Sequence, residues 1–182
     1  MYGNLYLVST PIGNLEDLTF RAVKVLGSVD IILAESVERT SKLLSHYDIN
    51  AKVISFNKDN EKRKIKSVIA FLEDSKNIAL VSDAGTPCVS DPGFYLLSNL
   101  DREIKIIPIP GASSITCALA VSKIPMNGFT FLGFLPKKEN DRKKMLLQAY
   151  STELPLCIFE SKHRLLDLLN EIRSIFGEDT HV

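Results

Sequence analysis

The sequence has few cysteines and no excess of either charge. Its three cysteines are isolated and lack the close pairing that a metal site or a small disulfide framework needs, which indicates a reducing compartment. The 22 basic and 22 acidic residues give a formal charge of zero. No overall field would therefore draw the chain onto nucleic acid or an anionic membrane, and any polyanion would have to meet a local basic patch.

Long apolar runs and a basic leader are also missing. No stretch approaches the roughly 20 apolar residues of a membrane span, and Met1 leads directly into a short apolar run without the start of a signal peptide. We therefore expect a cytoplasmic protein without membrane contact. The chain has 182 residues, of which 45% are hydrophobic, enough to bury the core of one large or two small domains.

Short apolar runs alternate with amphipathic stretches along residues 1–111. The runs are nearly continuous, which is typical of parallel strands covered by helices on both faces. We therefore predict an N-terminal α/β domain with a mostly parallel sheet. The predicted strands are residues 5–8, 31–33, 52–54, 78–81 and 104–109.

The pattern restarts after residue 124. A helix that begins near Ser113 or Ser114, either of which could cap it, and ends near Ser122 makes residues 112–124 a candidate hinge. Residues 125–182 then predict two strands and two helices, which we interpret as the start of a second, apparently incomplete α/β domain with a cofactor cleft between the two domains. So thin a domain would need a partner or a further segment to cover it.

The most informative local feature follows the fourth predicted strand. There Ser82-Asp83-Ala84-Gly85-Thr86-Pro87 joins a carboxylate to a glycine and proline turn, and Ser90-Asp91-Pro92-Gly93 adds a second acidic turn. Ligands bind at the carboxyl ends of parallel strands, and such a turn exposes backbone N–H groups. Asp83 and Asp91 could equally do no more than cap turns, so both interpretations stay open.

Further turns follow the other predicted strands, at residues 9–14, 34–36 and 108–113. In an open parallel sheet these turns share one edge and together predict a cleft. The first turn has neither the Gly-x-Gly-x-x-Gly nor the Gly-Lys-Ser/Thr pattern, which disfavours a phosphate cradle. It could also be a plain strand-to-helix turn with Asp17 or Thr19 as the cap.

Several motifs occur in the order that one family shows. They are Thr10-Pro11-Ile12-Gly13-Asn14-Leu15-Glu16-Asp17, the two acidic turns, Pro108-Ile109-Pro110-Gly111 and Gly133-Phe134-Leu135-Pro136. Over nearly its whole length the chain resembles the tetrapyrrole methylase superfamily, and within it the methyltransferases of small-subunit ribosomal RNA. The resemblance implies a two-domain homodimer that binds S-adenosyl-L-methionine between its domains. It also implies methylation of the 2′-hydroxyl of a cytidine in 16S ribosomal RNA.

The resemblance and the chemistry of the turns together suggest three sets of site residues. The predicted cofactor residues are Ser82, Asp83, Ala84, Gly85, Thr86, Pro110, Gly111, Ala112, Ser113 and Gly133. The predicted contacts to ribosomal RNA or the small ribosomal subunit are Thr10, Pro11, Asn14, Arg39, Lys137, Lys138, Arg142 and Arg164. The candidates for a general base are Glu35, Glu160 and His163, with Asp83 as a further possibility.

A structural role stays open for each of these residues. The basic residues from Lys137 onward could be a solvated helix end, because Glu139 and Asp141 interrupt them. Each candidate base could be a buried and satisfied carboxylate or a helix-terminal residue. No metal site is predicted.

The chain departs from the family pattern at three places. Glu35 is followed by Ser36-Val37-Glu38 where the family has Asp-Thr-Arg, Lys162 stands where the family has a proline, and the remainder of the second domain after Gly177 is missing. Two alternatives therefore stay open. One is a methyltransferase acting on a tetrapyrrole carbon, with a large apolar pocket and no salt-sensitive affinity for RNA. The other is a relative that binds the cofactor or dimerises but has lost catalysis.

Overall fold

The computed structural model describes residues 2–182 and divides into two compact units. Unit 1 ends at Ala118, and unit 2 runs over Leu119–Val182. The division falls within helix α5 (Ser114–Val121), in the segment predicted as a hinge. The hinge itself stays a prediction.

Unit 1 alternates strands with helices. Its strands are β1 (Leu5–Val8), β2 (Ile31–Ala34), β3 (Lys52–Ser55), β4 (Ile78–Val81) and β5 (Ile106–Ile109). Its helices before α5 are a short 3-10 turn (Leu15–Asp17), α1 (Phe20–Leu26), α2 (Val37–His46), α3 (Glu61–Glu73) and α4 (Phe94–Ser98). All five strands are parallel, in the order β3-β2-β4-β1-β5. The predicted α/β class with a parallel sheet is confirmed.

Helices cover both faces of this sheet. On one face α1 and α2 contribute buried residues such as Leu26 and Leu44, and on the other α3 and α4 contribute Leu72 and Leu96. Every residue of the inner strands β2 and β4 is buried, whereas the edge strands β3 and β5 are partly exposed. With both faces covered, the ends of the strands are what remains open to a ligand.

Capping side chains set several helix starts. The Thr19 hydroxyl accepts the Ala22 N–H at 3.1 Å, so Thr19, one of the two predicted caps, begins α1. The Ser36 hydroxyl accepts the Arg39 N–H at 3.4 Å, so α2 begins at Val37. Strand β5 begins at Ile106, later than predicted, because the Ile104 N–H donates to the Asp101 carbonyl at 3.1 Å and so belongs to a turn.

Unit 2 has one strand-helix-strand repeat and a final helix. The elements are β6 (Thr130–Phe134), α6 (Glu139–Tyr150), β7 (Leu156–Phe159) and α7 (Leu165–Phe176). The two strands pair in parallel, with an irregular register between Phe131 and Gly133. The buried core is small and consists of Leu135, Leu146, Leu168 and Ile172.

Helix α5 is apolar and uncovered. It has the sequence Ser-Ile-Thr-Cys-Ala-Leu-Ala-Val and no buried residue, and Val121 at its end is 77% exposed. At eight residues it is far shorter than a membrane span, which takes roughly 20. Among residues 2–182, no helix combines the length and apolarity needed to cross a membrane.

The core of unit 1 supplies a first test of the fold. Phe56 is fully buried and packs in the cluster beneath α3 and α4, whereas Phe20 at the start of α1 is 97% exposed. We expect Phe56→Ala to lower the free energy of unfolding by about 3–5 kcal/mol, because it leaves a cavity. Phe20→Ala should change it by less than about 0.5 kcal/mol. Urea unfolding of both variants measures this, and equal losses would contradict the packing described.

Candidate functional site

Four turns lie side by side at the carboxyl edge of the unit 1 sheet. We name them the β1 turn (residues 9–14), the β2 turn (35–36), the β4 turn (82–87) and the β5 turn (110–113). Because β4 pairs with both β2 and β1, and β1 pairs with β5, the β4 turn has the β2 turn on one side and the β1 turn on the other. The turns at Asp83 and Gly111 therefore share one edge, as predicted.

The β1 turn holds the β4 turn through its backbone. Thr10 and Gly85 exchange N–H···O bonds at 2.9 and 3.0 Å, and the Thr10 hydroxyl donates to the Ser82 carbonyl at 3.0 Å. The hydroxyls of Ser9 and Thr86 lie 2.9 Å apart in a further hydrogen bond. Thr10 is only 3% exposed, so the structure shows it supporting the β4 turn. Its predicted contact with RNA stays a prediction.

The β2 turn holds the β4 turn from the other side. The Asp83 carboxylate accepts the Ser36 backbone N–H at 3.0 Å and Arg39 Nη1 at 3.0 Å. The backbone N–H of Asp83 in turn opposes the rise in the pKa of the Glu35 carboxyl. Asp83 therefore links two turns, which is more than a local cap. The Arg39 side chain is 71% exposed, so its ion pair adds little to stability.

Three carboxylates gather at this edge, those of Glu35, Asp83 and Asp91. Partial burial, followed by the negative charges of Asp91 and Asp83, raises the pKa of Glu35 above its usual range. Burial also raises the pKa of Asp91, although the nearby Ser82 side chain and the charge of Lys58 oppose the shift. The raised pKa makes the Glu35 carboxylate a stronger base than an ordinary glutamate, which favours proton abstraction near neutral pH.

The loop that follows the β4 turn is compact and strained. Cys88 and Ser90 have positive φ values of 69° and 63°, and the Lys58 ammonium donates to the Ser90 carbonyl at 2.9 Å. A Cβ on Gly93 would lie 2.6 Å from Cys88 Sγ, so only glycine fits there. Burial raises the pKa of Cys88 to about 11, which keeps its thiol protonated and makes it a packing group.

Most of the predicted cofactor residues of unit 1 are at least partly exposed at the same edge, whereas Gly85 is buried. Ala84 and Thr86 are exposed, as are Pro110 and Gly111, while Ala112 and Ser113 are half-buried. Ser82 is buried, and its hydroxyl donates to the Gly85 carbonyl at 3.2 Å, so it supports the turn from inside. A Cβ on Gly111 would lie 2.9 Å from Ser9 Cβ, so the β5 turn approaches the β1 turn as closely as glycine allows. The remaining predicted cofactor residue, Gly133, belongs to unit 2.

Unit 2 contains a polar cavity of about 220 Å³. Its lining residues are Lys137, Arg142, Glu160, Arg164, Asp167 and Leu168. Glu160 Oε2 lies 3.0 Å from Arg164 Nη2, and Arg142 Nε lies 2.5 Å from Glu171 Oε2. The cavity therefore combines three predicted RNA contacts with one candidate base.

The other predicted residues of the site lie outside this cavity. His163 is exposed just ahead of α7, and Lys138 is exposed just ahead of α6. In unit 1, Pro11 is buried, whereas Asn14 is exposed and accepts the Glu16 N–H at 3.2 Å. The candidate bases thus divide between the units, with Glu35 in unit 1 and both Glu160 and His163 in unit 2.

Sequence reasoning missed Asp167 and Glu171. Asp167 is an ordinary exposed acid of the first turn of α7, and no local pattern marks it. Glu171 carries a detectable signal, because it interrupts the apolar stripe that Leu168 and Ile172 form along the same helix. An acid at such a position predicts a buried ion pair, and Arg142 is its partner.

Comparison with known proteins identifies relatives along the whole chain. The chain is 46% identical over 176 residues to "Ribosomal RNA small subunit methyltransferase I" of Buchnera aphidicola subsp. Baizongia pistaciae, covering 96% of this chain and 60% of the relative. The protein of the same name from Thermotoga maritima is 45% identical over 177 residues, or 97% of this chain and 79% of the relative. The chain thus spans about three fifths of the Buchnera relative's length.

A solved structure supports the fold independently of sequence. The crystal structure of diphthine synthase matches 88% of this chain and 65% of its own, with a TM-score of 0.71 at 14% identity. At that identity the likeness concerns the fold alone. The sequence pattern of the Tetrapyrrole (Corrin/Porphyrin) Methylases matches residues 4–182, and we conclude that the chain belongs to this family.

Proposed function

We propose that this chain is part of an S-adenosylmethionine-dependent methyltransferase that acts on the 2′-hydroxyl of a cytidine in small-subunit ribosomal RNA. The observation that carries the proposal is the 46% identity, over 96% of the chain, to a relative named as a small-subunit ribosomal RNA methyltransferase. The solved structures named for tetrapyrrole methylation are 21% identical or less and share only the fold. They do not favour a tetrapyrrole substrate.

The residues at the carboxyl edge of unit 1 fit S-adenosylmethionine. This cofactor has no phosphate, and the edge has no phosphate cradle. It offers instead the exposed residues of the β4 and β5 turns beside Gly111, a position that leaves no room for a side chain. Ala84, Thr86, Pro110 and Ala112 would hold the cofactor through backbone donors and acceptors. The cofactor supplies an electrophilic methyl group on a positively charged sulfur.

The chain's own contribution to catalysis would be positioning and proton removal. Methylation of a hydroxyl needs an in-line approach and the loss of its proton. Glu35 suits the second task among the candidates, because burial and the charges of Asp91 and Asp83 raise its pKa. Glu160 is buried and paired with Arg164, and His163 is exposed, so neither is as well prepared to act as a base.

The basic residues of unit 2 would contact the RNA backbone. Lys137 and Lys138 are exposed next to the β6 end, and Arg142 and Arg164 line the neighbouring cavity. Arginine and lysine at such positions bind phosphates and orient an RNA without reading its sequence. A substrate of this kind would place the protein in the cytoplasm. The homodimer implied by the resemblance also stays a proposal, and the uncovered apolar α5 is compatible with it.

Transfer of labelled methyl from S-adenosylmethionine to small ribosomal subunits that lack the modification tests the proposal. Calorimetric binding of the cofactor to the same sample accompanies it. We expect both cofactor binding and transfer, and we expect RNA association to weaken steeply between about 50 and 200 mM salt. Binding without transfer would instead identify a relative that has lost catalysis. Failure to bind the cofactor would contradict the site.

Gly111→Ala tests the role of the β5 turn in cofactor binding. The added Cβ would approach Ser9 Cβ to 2.9 Å and push the β5 turn away from the β1 turn. We expect the dissociation constant for S-adenosylmethionine to rise roughly tenfold, which corresponds to about 1.4 kcal/mol. The matched control is Gly128→Ala, whose Cβ would make only ordinary contacts with Leu154 at 3.7 Å. Calorimetry should find the control unchanged, and equal affinities in both variants would exclude the β5 turn from the site.

The raised pKa of Glu35 can be measured by NMR titration of its side-chain carboxyl. We expect Asp91→Asn to lower the pKa of Glu35, because the negative charge of Asp91 raises that pKa more than the charge of Asp83 does. Asp74→Asn is the control, since Asp74 follows α3 at the opposite end of β4. A Glu35 pKa that does not respond to Asp91→Asn would show that the carboxylates at this edge are not coupled.

A further inference from the structure

Helix α3 carries a cluster of exposed cations in its first two turns. Residues 61–66 hold four cations and one acid. The Lys64 ammonium donates to the last carbonyl of β3 at 2.6 Å, whereas the other three cations, Lys62, Arg63 and Lys66, are exposed. Because side chains three and four residues apart are neighbours on a helix, these three, which we name the α3 cluster, share one surface.

No acid of the helix balances the α3 cluster. In α2, Lys42 pairs with Glu38 at 2.8 Å, and in α6, Lys143 pairs with Glu139 at 2.7 Å. By contrast, none of the ion pairs within residues 2–182 includes a cation of the cluster, and within α3 no acid lies three or four positions from one. Like charges at this spacing destabilise a helix, so the cluster is suited to a partner that brings negative charge.

Two exposed aromatic rings lie beside the α3 cluster. Phe94, the first residue of α4, is 74% exposed, and Tyr95 is also exposed. The Lys62 ammonium lies 5.7 Å from the centre of the Tyr95 ring, and the Glu61 carboxylate accepts the Gly93 N–H at 3.2 Å, which holds the start of α4 against the start of α3. Proteins bind single-stranded nucleic acid with this combination, in which rings stack on bases and cations contact phosphates.

The surface adjoins the carboxyl edge of the unit 1 sheet. Helix α3 follows β3, and α4 follows the loop after the β4 turn, so both helices begin where strands end. The Lys58 ammonium donates to the Ser90 carbonyl at 2.9 Å, which ties the segment leading into α3 to the loop leading into α4. The surface therefore lies on the same edge as Glu35, the residue proposed to take the proton.

We propose that the α3 cluster and Phe94 form a contact for single-stranded RNA on unit 1, in addition to the basic residues of unit 2. The cations bind backbone phosphates, and the Phe94 ring stacks on a base without selecting its identity. A single strand is favoured because the bases of a duplex stack on one another and leave no free face for the ring. The inference rests on the proposed function, because the RNA substrate is what favours a nucleic acid over an acidic protein segment.

The salt dependence of RNA binding tests the cations. Binding of a fluorescein-labelled, unstructured RNA of about twelve nucleotides to the full chain is measured by anisotropy, without cofactor, between about 50 and 200 mM salt. Each phosphate contact of a single strand contributes about 0.7 to the slope of log affinity against log salt, so Arg63→Gln combined with Lys66→Gln should reduce that slope by about 1.4. An unchanged slope, or no binding of RNA by the unaltered chain, would overturn the proposal.

Arg21→Gln combined with Lys24→Gln is the matched control. It removes the same two residue types, at the same spacing, from exposed positions of α1, which covers the face of the sheet opposite to α3. The control should keep the slope of the unaltered chain. Because every replaced side chain is exposed, urea unfolding should show both double variants to be as stable as the unaltered chain. An equal loss of slope in both would indicate attraction by charge in general and refute the surface.

Phe94→Ala tests the stacking. We expect the affinity for the single strand to fall roughly tenfold with the slope unchanged, because no charge is removed. The affinity for a duplex of the same length should not change. Phe20→Ala is the control, since Phe20 also begins a helix with an exposed ring, on the α1 face, and it should bind RNA normally. If Phe94→Ala had no effect while the double variant lost slope, the surface would be a general polyanion site, as for an acidic protein, and the RNA contact would be refuted.

These results are separable from methyl transfer. RNA binding that depends on the α3 cluster and on Phe94, without transfer to ribosomal subunits, would support the surface and contradict the proposed catalysis. Transfer at the unaltered kcat/KM by both the double variant and Phe94→Ala would support the proposed function and contradict the surface.

Discussion

The site of this protein depends on the way its β4 turn is held between two neighbours. A backbone exchange between Thr10 and Gly85 fixes the turn on one side. On the other side, the Asp83 carboxylate accepts the Ser36 N–H and Arg39 Nη1. Hydrogen bonds of this kind are geometrically strict, and Ala84 and Thr86 of the turn stay exposed. The parallel sheet makes this possible, because the strand order puts β4 between β2 and β1.

The two units use buried charge differently. In unit 1, burial of the Glu35 carboxyl and then the negative charge of Asp91 raise the pKa of Glu35. In unit 2 the buried carboxylates are paired with arginines, Glu171 with Arg142 and Glu160 with Arg164. Burial beside another negative charge prepares a carboxylate to take up a proton, whereas pairing fixes the position of an arginine. The same residue type is thus suited to proton transfer in one unit and to holding arginines in the other.

The sheet and its open edge could be predicted from sequence because the inner strands are apolar at every position. Residues 5–8 and 78–81 are such runs, and their bounds match the strands of the structure. Partners distant in sequence could not be predicted. Nothing near Asp83 indicates that Ser36, 47 residues earlier, donates to it, and nothing near Glu160 indicates a cavity. Local pattern identifies which residues end a strand, and only the packed fold determines what each of them contacts.

The altered sequence after Glu35 illustrates the difference. Where the resembled family has Asp-Thr-Arg, this chain has Ser36-Val37-Glu38, which suggested a loss of function. In the structure, however, the group that Asp83 binds is the backbone N–H of Ser36, which every residue but proline can provide. The Ser36 hydroxyl takes the cap of α2, and Arg39, one position further on, supplies a guanidinium to Asp83. The contacts that hold the β4 turn are therefore made without the Asp-Thr-Arg sequence, because they depend on the Ser36 backbone and on Arg39.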